Sequence, residues 1–221
     1  MNINTFYKIY YKHRILKAKF FLKLYLFIIL PFRYLSNIPF IPSKINLDKH
    51  SMRNANLFEK KLDFLFEHFN SDKGNYFIDQ YIQPIKKNNN KIEAHGYSSI
   101  YEKYFFSKKE NNLNILELGS FYGNAAASFY YYFKNSTIYS GDIYPDLFRY
   151  SSKRINNFYI DTSNKISIKK IILDRNINFD IIVEDASHSL KDQIISLFLL
   201  FKNISSKGLF ICEELDFPET R

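Results

Sequence analysis

Hydrophobic and polar positions follow two periods along this chain. Between Leu57 and Phe69 the apolar residues Leu57, Phe58, Leu62, Leu65, Phe66 and Phe69 recur at three- and four-residue steps, which predicts a helix. Ile115–Leu118, Thr137–Asp142, Phe179–Glu184 and Leu209–Glu213 are short, mostly apolar runs that predict strands, with Asn157–Ile160 a shorter candidate. Helical spacing returns over Ser189–Phe201, where Leu190, Ile194, Ile195, Leu197, Phe198 and Phe201 are apolar. Strands alternating with helices predict an α/β fold, a Rossmann-like parallel sheet with helices on both faces. Ligands of such sheets lie beyond the carboxyl ends of the strands.

The first fifty residues have a different pattern. Phe20–Phe32 reads FFLKLYLFIILPF, but its longest uncharged run, Leu24–Phe32, is far shorter than the ~20 residues of a transmembrane helix. A long basic lead-in with no small-residue cleavage site also argues against a signal peptide. A helix is expected, with Lys8, Lys12, Lys19 and Lys23 near one face and Arg14 and Lys17 on the other. Two readings stay open for residues 8–33: peripheral contact with an anionic membrane face, or packing on the domain or on a second subunit of a homo-oligomer. Pro39, Pro42 and the polar stretch to Asn54 read as a linker. The chain thus divides into an arm (1–50), a helical segment (51–110) and a Rossmann-like core (111–221).

Charge sharpens that division. Residues 1–50 hold nine Lys/Arg and one acid, so +8 of the net +9 sits in the arm and the remaining body is nearly neutral. No nucleic-acid partner is therefore expected, despite the basic total. Cys212 is the single cysteine, which excludes an intrachain disulfide and argues against a structural zinc site. A cytoplasmic location fits, with peripheral attachment at the inner membrane face under the first reading of the arm.

Chemistry concentrates at the strand ends. Gly119 and Gly123 close the segment Asn114-Ile-Leu-Glu-Leu-Gly-Ser-Phe-Tyr-Gly123, a strand breaking into a glycine turn before a helix. That is the first unit of a nucleotide-binding fold, in which small residues admit a ligand to backbone N–H groups. Glu117, Gly119, Ser120 and Gly123 are the candidate cofactor contacts, and Asp142 at the end of the next strand is placed to accept from ribose hydroxyls. The pattern is Glu-x-Gly-x-x-x-Gly rather than Gly-x-Gly-x-x-Gly, which favours adenosylmethionine over a dinucleotide. Glu184 and Asp185 at the end of one strand and Glu213 and Glu214 at the end of the next could hold a hard divalent cation such as Mg²⁺. His188 in the same loop as Asp185 could serve as general base. The competing reading makes these residues helix caps and solvated strand-end charges.

These residues also carry a resemblance. Ser71-Asp-Lys-Gly74, His95-Gly-Tyr97 with Ile100-Tyr-Glu-Lys-Tyr104, Ile115-Leu-Glu-Leu-Gly119, Tyr139-Ser-Gly-Asp142, Glu184-Asp-Ala-Ser-His188 and Gly208-Leu-Phe-Ile-Cys-Glu-Glu214 occur in one order over roughly residues 70–215. In that respect the chain resembles the class I methyltransferases related to the macrocin and mycinamicin sugar O-methyltransferases and the cephalosporin-hydroxylase-like proteins. The resemblance implies transfer of methyl from S-adenosylmethionine to a hydroxyl of a sugar or glycosylated small molecule, assisted by Mg²⁺. It implies Asp185, Glu213 and Glu214 as metal ligands and His188 as base. It further implies that Asp72, Lys73, His95 and Tyr97 fold over the cofactor. Glu184, Ala186 and Glu214 depart from the usual Asp-Asp-Gly-Ser-His and Glu-Asp.

Two other function classes remain. One is a nicotinamide-dependent sugar oxidoreductase or epimerase, whose mark would be a Tyr-x-x-x-Lys pair on a helix facing the nicotinamide, and no such pair is expected after the glycine turn. The other is a non-catalytic, membrane-associated protein of the same fold. A complete domain of the resembled class has two more strands after the fifth, so the last two strands are expected to be missing and the chain is read as truncated.

Overall fold

The computed structural model describes residues 20–36, 45–78, 91–173 and 176–215. Its centre is a five-stranded, wholly parallel sheet built from β4 (Asn114–Leu118), β5 (Thr137–Asp142), β7 (Ile155–Tyr159), β8 (Phe179–Glu184) and β9 (Ile204–Cys212), in the order β7-β5-β4-β8-β9. The order reverses between β4 and β8, which makes their carboxyl ends the switch point where such sheets take ligands. The expected α/β architecture is present.

Side chains of the inner strands alternate between two cores. Ile115, Ile181 and Val183 join one cluster, while Leu116, Leu118 and Ile182 join another. The first cluster lies under α5 (Asn124–Tyr132), every residue of which is buried. Phe129, Tyr131 and Tyr132 there are at most 1% exposed. A helix this apolar all round needs cover on both sides, and residues 45–69 and 97–105 supply the second. The other sheet face is covered by α6 (Lys165–Ile171) and α7 (Leu190–Leu200), through Ile168 and Leu200.

Three expectations are corrected. The single helix over Leu57–Phe69 is broken into a 3₁₀ turn (Ala55–Glu59) and α3 (Leu62–His68), because Glu102 Oε1 accepts from Leu62 N and starts a new helix there. The linker to Asn54 is ordered from Ile45 onward: β1 (Ile45–Asn46) pairs in parallel with β6 (Tyr150–Ser151), and α2 (Leu47–Arg53) follows. Leu47 is fully buried there, and Asp48 accepts from Ser152 Oγ and Lys153 N at 2.7 and 2.8 Å. The final strand is also longer than Leu209–Glu213, starting at Ile204.

In the arm, Phe20–Ser36 forms α1 with Pro31 inside it, and none of its described side chains is buried. Among the described residues, no helix is long and apolar enough to cross a membrane. Lys8, Lys12, Arg14, Lys17 and Lys19 lie outside the described residues. At the other end, β9 is an edge strand among the described residues. An apolar cleft of about 740 Å³ runs along it, lined by Leu190, Ile194, Leu197, Phe201, Phe210 and Leu215. Its walls carry little that could do chemistry.

Candidate active site

Two smaller cavities, about 180 and 40 Å³, meet at the switch point and share Gly119. The larger is lined by Gly119, Asp142, Ile143, Asp161, Thr162 and Ser187. The smaller is lined by Asp72, Lys73, Glu117, Ser120, Asn124 and Asp185, among others. The structure thus brings Glu117, Gly119, Ser120, Asp142, Asp72, Lys73 and Asp185 to one place.

The glycine turn is built by backbone. Gly119 has φ +88°, and a Cβ there would stand 1.8 Å from the Asp185 carbonyl oxygen. Gly119 N and Ser120 N both donate to Gly141 O, at 2.8 and 3.2 Å. Gly123, at φ +79°, opens α5 and packs on the Phe148 ring rather than lining either cavity. Asp142 holds the turn as well as walling the cavity: Phe121 N and Tyr144 N donate to its two oxygens at 2.7 and 2.6 Å.

Glu117 stands on β4 pointing to the α5 side, 1% exposed, and its Oε2 has no hydrogen-bond partner among the described residues. Burial pushes its pKa up to about 8, against the opposing pull of Lys73. Glu184, on the neighbouring strand β8 opposite Leu118, lines neither of these cavities. It is fully buried, accepts from Cys212 Sγ at 3.6 Å, and burial raises its pKa to about 6.

The remaining polar residues form an ionic cluster over the ends of β8 and β9. The Ser71–Gly74 turn is stapled to the His95–Gly96 segment by His95 N donating to Asp72 O and Gly96 N donating to Gly74 O, at 2.9 and 2.8 Å. This extends the hairpin of β2 (Tyr76–Ile78) with β3 (Lys91–Glu93). It drives Lys73 inward, where Nζ donates to Asp185 Oδ2 and to Glu213 Oε2, each at 2.5 Å. Burial alone would lower the Lys73 pKa, but the two carboxylates overcome it and hold the ammonium well above its usual value. The same contest holds Asp185 below the usual carboxylate range, burial being outweighed by Lys73 and His188, whereas burial prevails at Glu213 and raises it.

His188 sits at φ +55°, half exposed, with Nε2 3.0 Å from Asp185 Oδ1. That hydrogen bond raises its pKa, burial opposing. Glu213 Oε1 accepts from Tyr101 OH, and Glu214 Oε1 accepts from Tyr97 OH at 2.9 Å with His95 Nδ1 at 3.2 Å. His95 and Tyr97 therefore serve Glu214, not the cavities at Gly119.

The expected metal ligation does not fit this arrangement. Asp185 and Glu213 hold an ammonium between them, and Glu214 is turned to Tyr97 and His95. Among the described residues, no group of three His, Cys, Asp or Glu side chains is placed to hold a metal ion. Adenosylmethionine fits better. The buried Glu117 carboxyl, whose pKa burial raises to about 8, has an oxygen with no hydrogen-bond partner among the described residues, and a ligand ammonium beside it would favour its charged form.

Sequence patterns missed Ile143, Asp161 and Thr162 in the larger cavity, and Tyr101 on Glu213. The first three directly follow strand ends, which is a usable signal. Tyr101 had none beyond its place in a motif. A Tyr-x-x-x-Lys spacing, Tyr130…Lys134, does follow the glycine turn. Tyr130 is buried in the α5 core beneath Arg154, and Lys134 pairs with Glu59 and Glu110, so neither faces the cavities.

No family model matches the chain. It is 25% identical over 138 residues to the 8-demethyl-8-alpha-L-rhamnosyl tetracenomycin-C 2'-O-methyltransferase of Streptomyces olivaceus, covering 59% of this chain and 36% of the relative. The methyltransferase MycE of mycinamycin biosynthesis, solved with Mg and SAH, superposes with a TM-score of 0.55 at 20% identity. That match covers 70% of this chain and 37% of MycE. The chain is thus similar in sequence to part of one sugar O-methyltransferase and in fold to part of another. It carries the Rossmann-like methyltransferase fold over little more than a third of the length of the proteins it matches. A second MycE structure, holding mycinamycin VI as well, matches with a TM-score of 0.54.

Proposed function

We propose that the chain is an S-adenosylmethionine-dependent O-methyltransferase acting on a hydroxyl of a sugar or glycosylated small molecule. The observation that carries the cofactor is the charge at the glycine turn. Glu117, Asp72, Asp142 and Asp185 surround it with Lys73 as the single cation lining those cavities, and Lys73 is already committed to Asp185 and Glu213. A pyrophosphate bound there would meet buried carboxylates, at a Coulombic cost, whereas the amino group and sulfonium of adenosylmethionine would meet complementary charge. The relatives named above, a rhamnosyl 2'-O-methyltransferase and an enzyme solved with mycinamycin VI, support a sugar hydroxyl as acceptor.

When bound, adenosylmethionine supplies a methyl group activated by its positive sulfur. Glu117 would hold the amino end and the 180 Å³ cavity at Asp142, Ile143 and Thr162 the adenosine. Asp185 accepts from His188 Nε2–H, which orients the ring and leaves Nδ1 to take the acceptor's proton. Lys73 and Tyr101 fix the carboxylates around it. His188 would take the proton that the acceptor hydroxyl loses on accepting that methyl.

The direct test is calorimetric titration of adenosylhomocysteine into the full chain, beside NAD. Micromolar binding of adenosylhomocysteine with none of NAD is expected. Binding of NAD alone would overturn the reading, as would no binding of either to a chain shown folded by circular dichroism.

A further inference from the structure

The geometry points to Lys73 as the resident cation of the ionic cluster, an ammonium standing where a divalent metal would have to sit and excluding it from Asp185 and Glu213. All four oxygens of these two carboxylates are engaged. Asp185 gives Oδ1 to His188 and Oδ2 to Lys73, while Glu213 gives Oε1 to Tyr101 and Oε2 to Lys73. Lys73 is 3% exposed, so its ammonium has exchanged water for these partners and cannot leave them cheaply.

A magnesium ion needs near-octahedral oxygen ligands at about 2.0–2.1 Å. To reach Asp185 Oδ2 and Glu213 Oε2 it would have to take the oxygens that Lys73 holds at 2.5 Å, placing two cations side by side in a buried site. The third expected ligand, Glu214, already meets Tyr97 and His95. The backbone explains why the lysine is there. The Ser71–Gly74 turn is tied to the His95–Gly96 segment and to α3, where Ser71 N donates to Phe66 O at 2.7 Å. Lys73 is thus a structural member of the cluster and a positioning residue for His188, acting through Asp185. This inference stands on the cluster alone, whatever the acceptor.

The test is metal binding, read without turnover. Free Mn²⁺ is followed by electron paramagnetic resonance as the full chain is titrated, for the native sequence, Lys73→Met and the double variant Lys73→Met/Glu213→Gln. The native chain is expected to show no site saturating below millimolar Mn²⁺. Lys73→Met should gain one site at least about tenfold tighter, because two freed carboxylates seek a cation, and the double variant should lose it. A native chain that binds one Mn²⁺ tightly, or a Lys73→Met chain that binds no better, would overturn the inference. Leaving two carboxylates unpaired can unfold the variant, so circular dichroism is recorded with and without Mn²⁺. Refolding by Mn²⁺ supports the inference, and a chain that stays unfolded in Mn²⁺ counts against it.

Discussion

The two halves of the site are built by different means. The cofactor half is made of neighbouring backbone: Gly119, Ser120, Gly141 and Asp142 lie on adjacent parallel strands and hold one another by main-chain hydrogen bonds. The ionic half is made of side chains from segments remote in sequence, Lys73 from the β2 approach, Tyr97 and Tyr101 from around α4 (Ser98–Phe105), Asp185 and His188 from the β8 loop, Glu213 and Glu214 from the β9 end. Both halves use the left-handed backbone region. In the first it falls on Gly119, Gly123 and Phe121, and in the second on Gly96, His188 and Glu214. A glycine adopts that conformation at little cost, whereas a histidine or glutamate holds it only where surrounding contacts impose it. The first half is therefore a property of the chain locally, and the second of the assembled fold.

Four substitutions test that separation. The largest effect is expected from His188→Ala, which should lower methyl transfer by about 10³-fold while leaving adenosylhomocysteine affinity unchanged. An equal loss in affinity would mean the halves are not separable. The pH profile sharpens this, since the hydrogen bond to Asp185 raises the His188 pKa above 6.5. Activity should fall as pH drops through that raised value, and Asp185→Asn should move the acid limb to lower pH.

Next comes Gly119→Ala. Its Cβ would meet the Asp185 carbonyl at 1.8 Å in a backbone conformation unfavourable to alanine. Adenosylhomocysteine should bind on the order of 100-fold more weakly by calorimetry. Near-native affinity would show that the turn does not seat the cofactor.

The smallest effect falls on the boundary, at Glu117→Gln. The folded chain raises the Glu117 pKa from 4.5 to about 8, so it binds a proton that the unfolded chain releases. The stability this contributes is complete below pH about 4.5 and is lost as pH rises towards 8. Glu117→Gln should therefore gain melting temperature over the native chain as pH rises from 5 to 8, while adenosylhomocysteine affinity falls about tenfold. A variant that gains nothing at high pH would show that Glu117 is not a buried liability held for a ligand.

Much of the fold was legible in the sequence because each sheet strand is a short run bounded by turns. Thr137–Asp142 and Phe179–Glu184 coincide with β5 and β8. The break before Leu62 was not legible, since it depends on a carboxylate forty residues on, Glu102. In the site, Glu117, Gly119, Ser120 and Asp142 were visible because the strand–turn–helix spacing sets where they stand. Lys73 was visible only as part of a motif, in a chain where lysine is too common to single out.

By itself, then, the sequence determined the parallel sheet and the glycine turn that follows β4, because strand periodicity and φ > 0 at glycine act over a few residues. The tertiary structure alone decided that Lys73 Nζ lies between Asp185 and Glu213, that Glu214 turns to Tyr97, and that Glu117 Oε2 is buried with no hydrogen-bond partner among the described residues. Those outcomes depend on which long-range side chains reach one dry volume together, where Coulombic pairing and desolvation decide what a carboxylate holds.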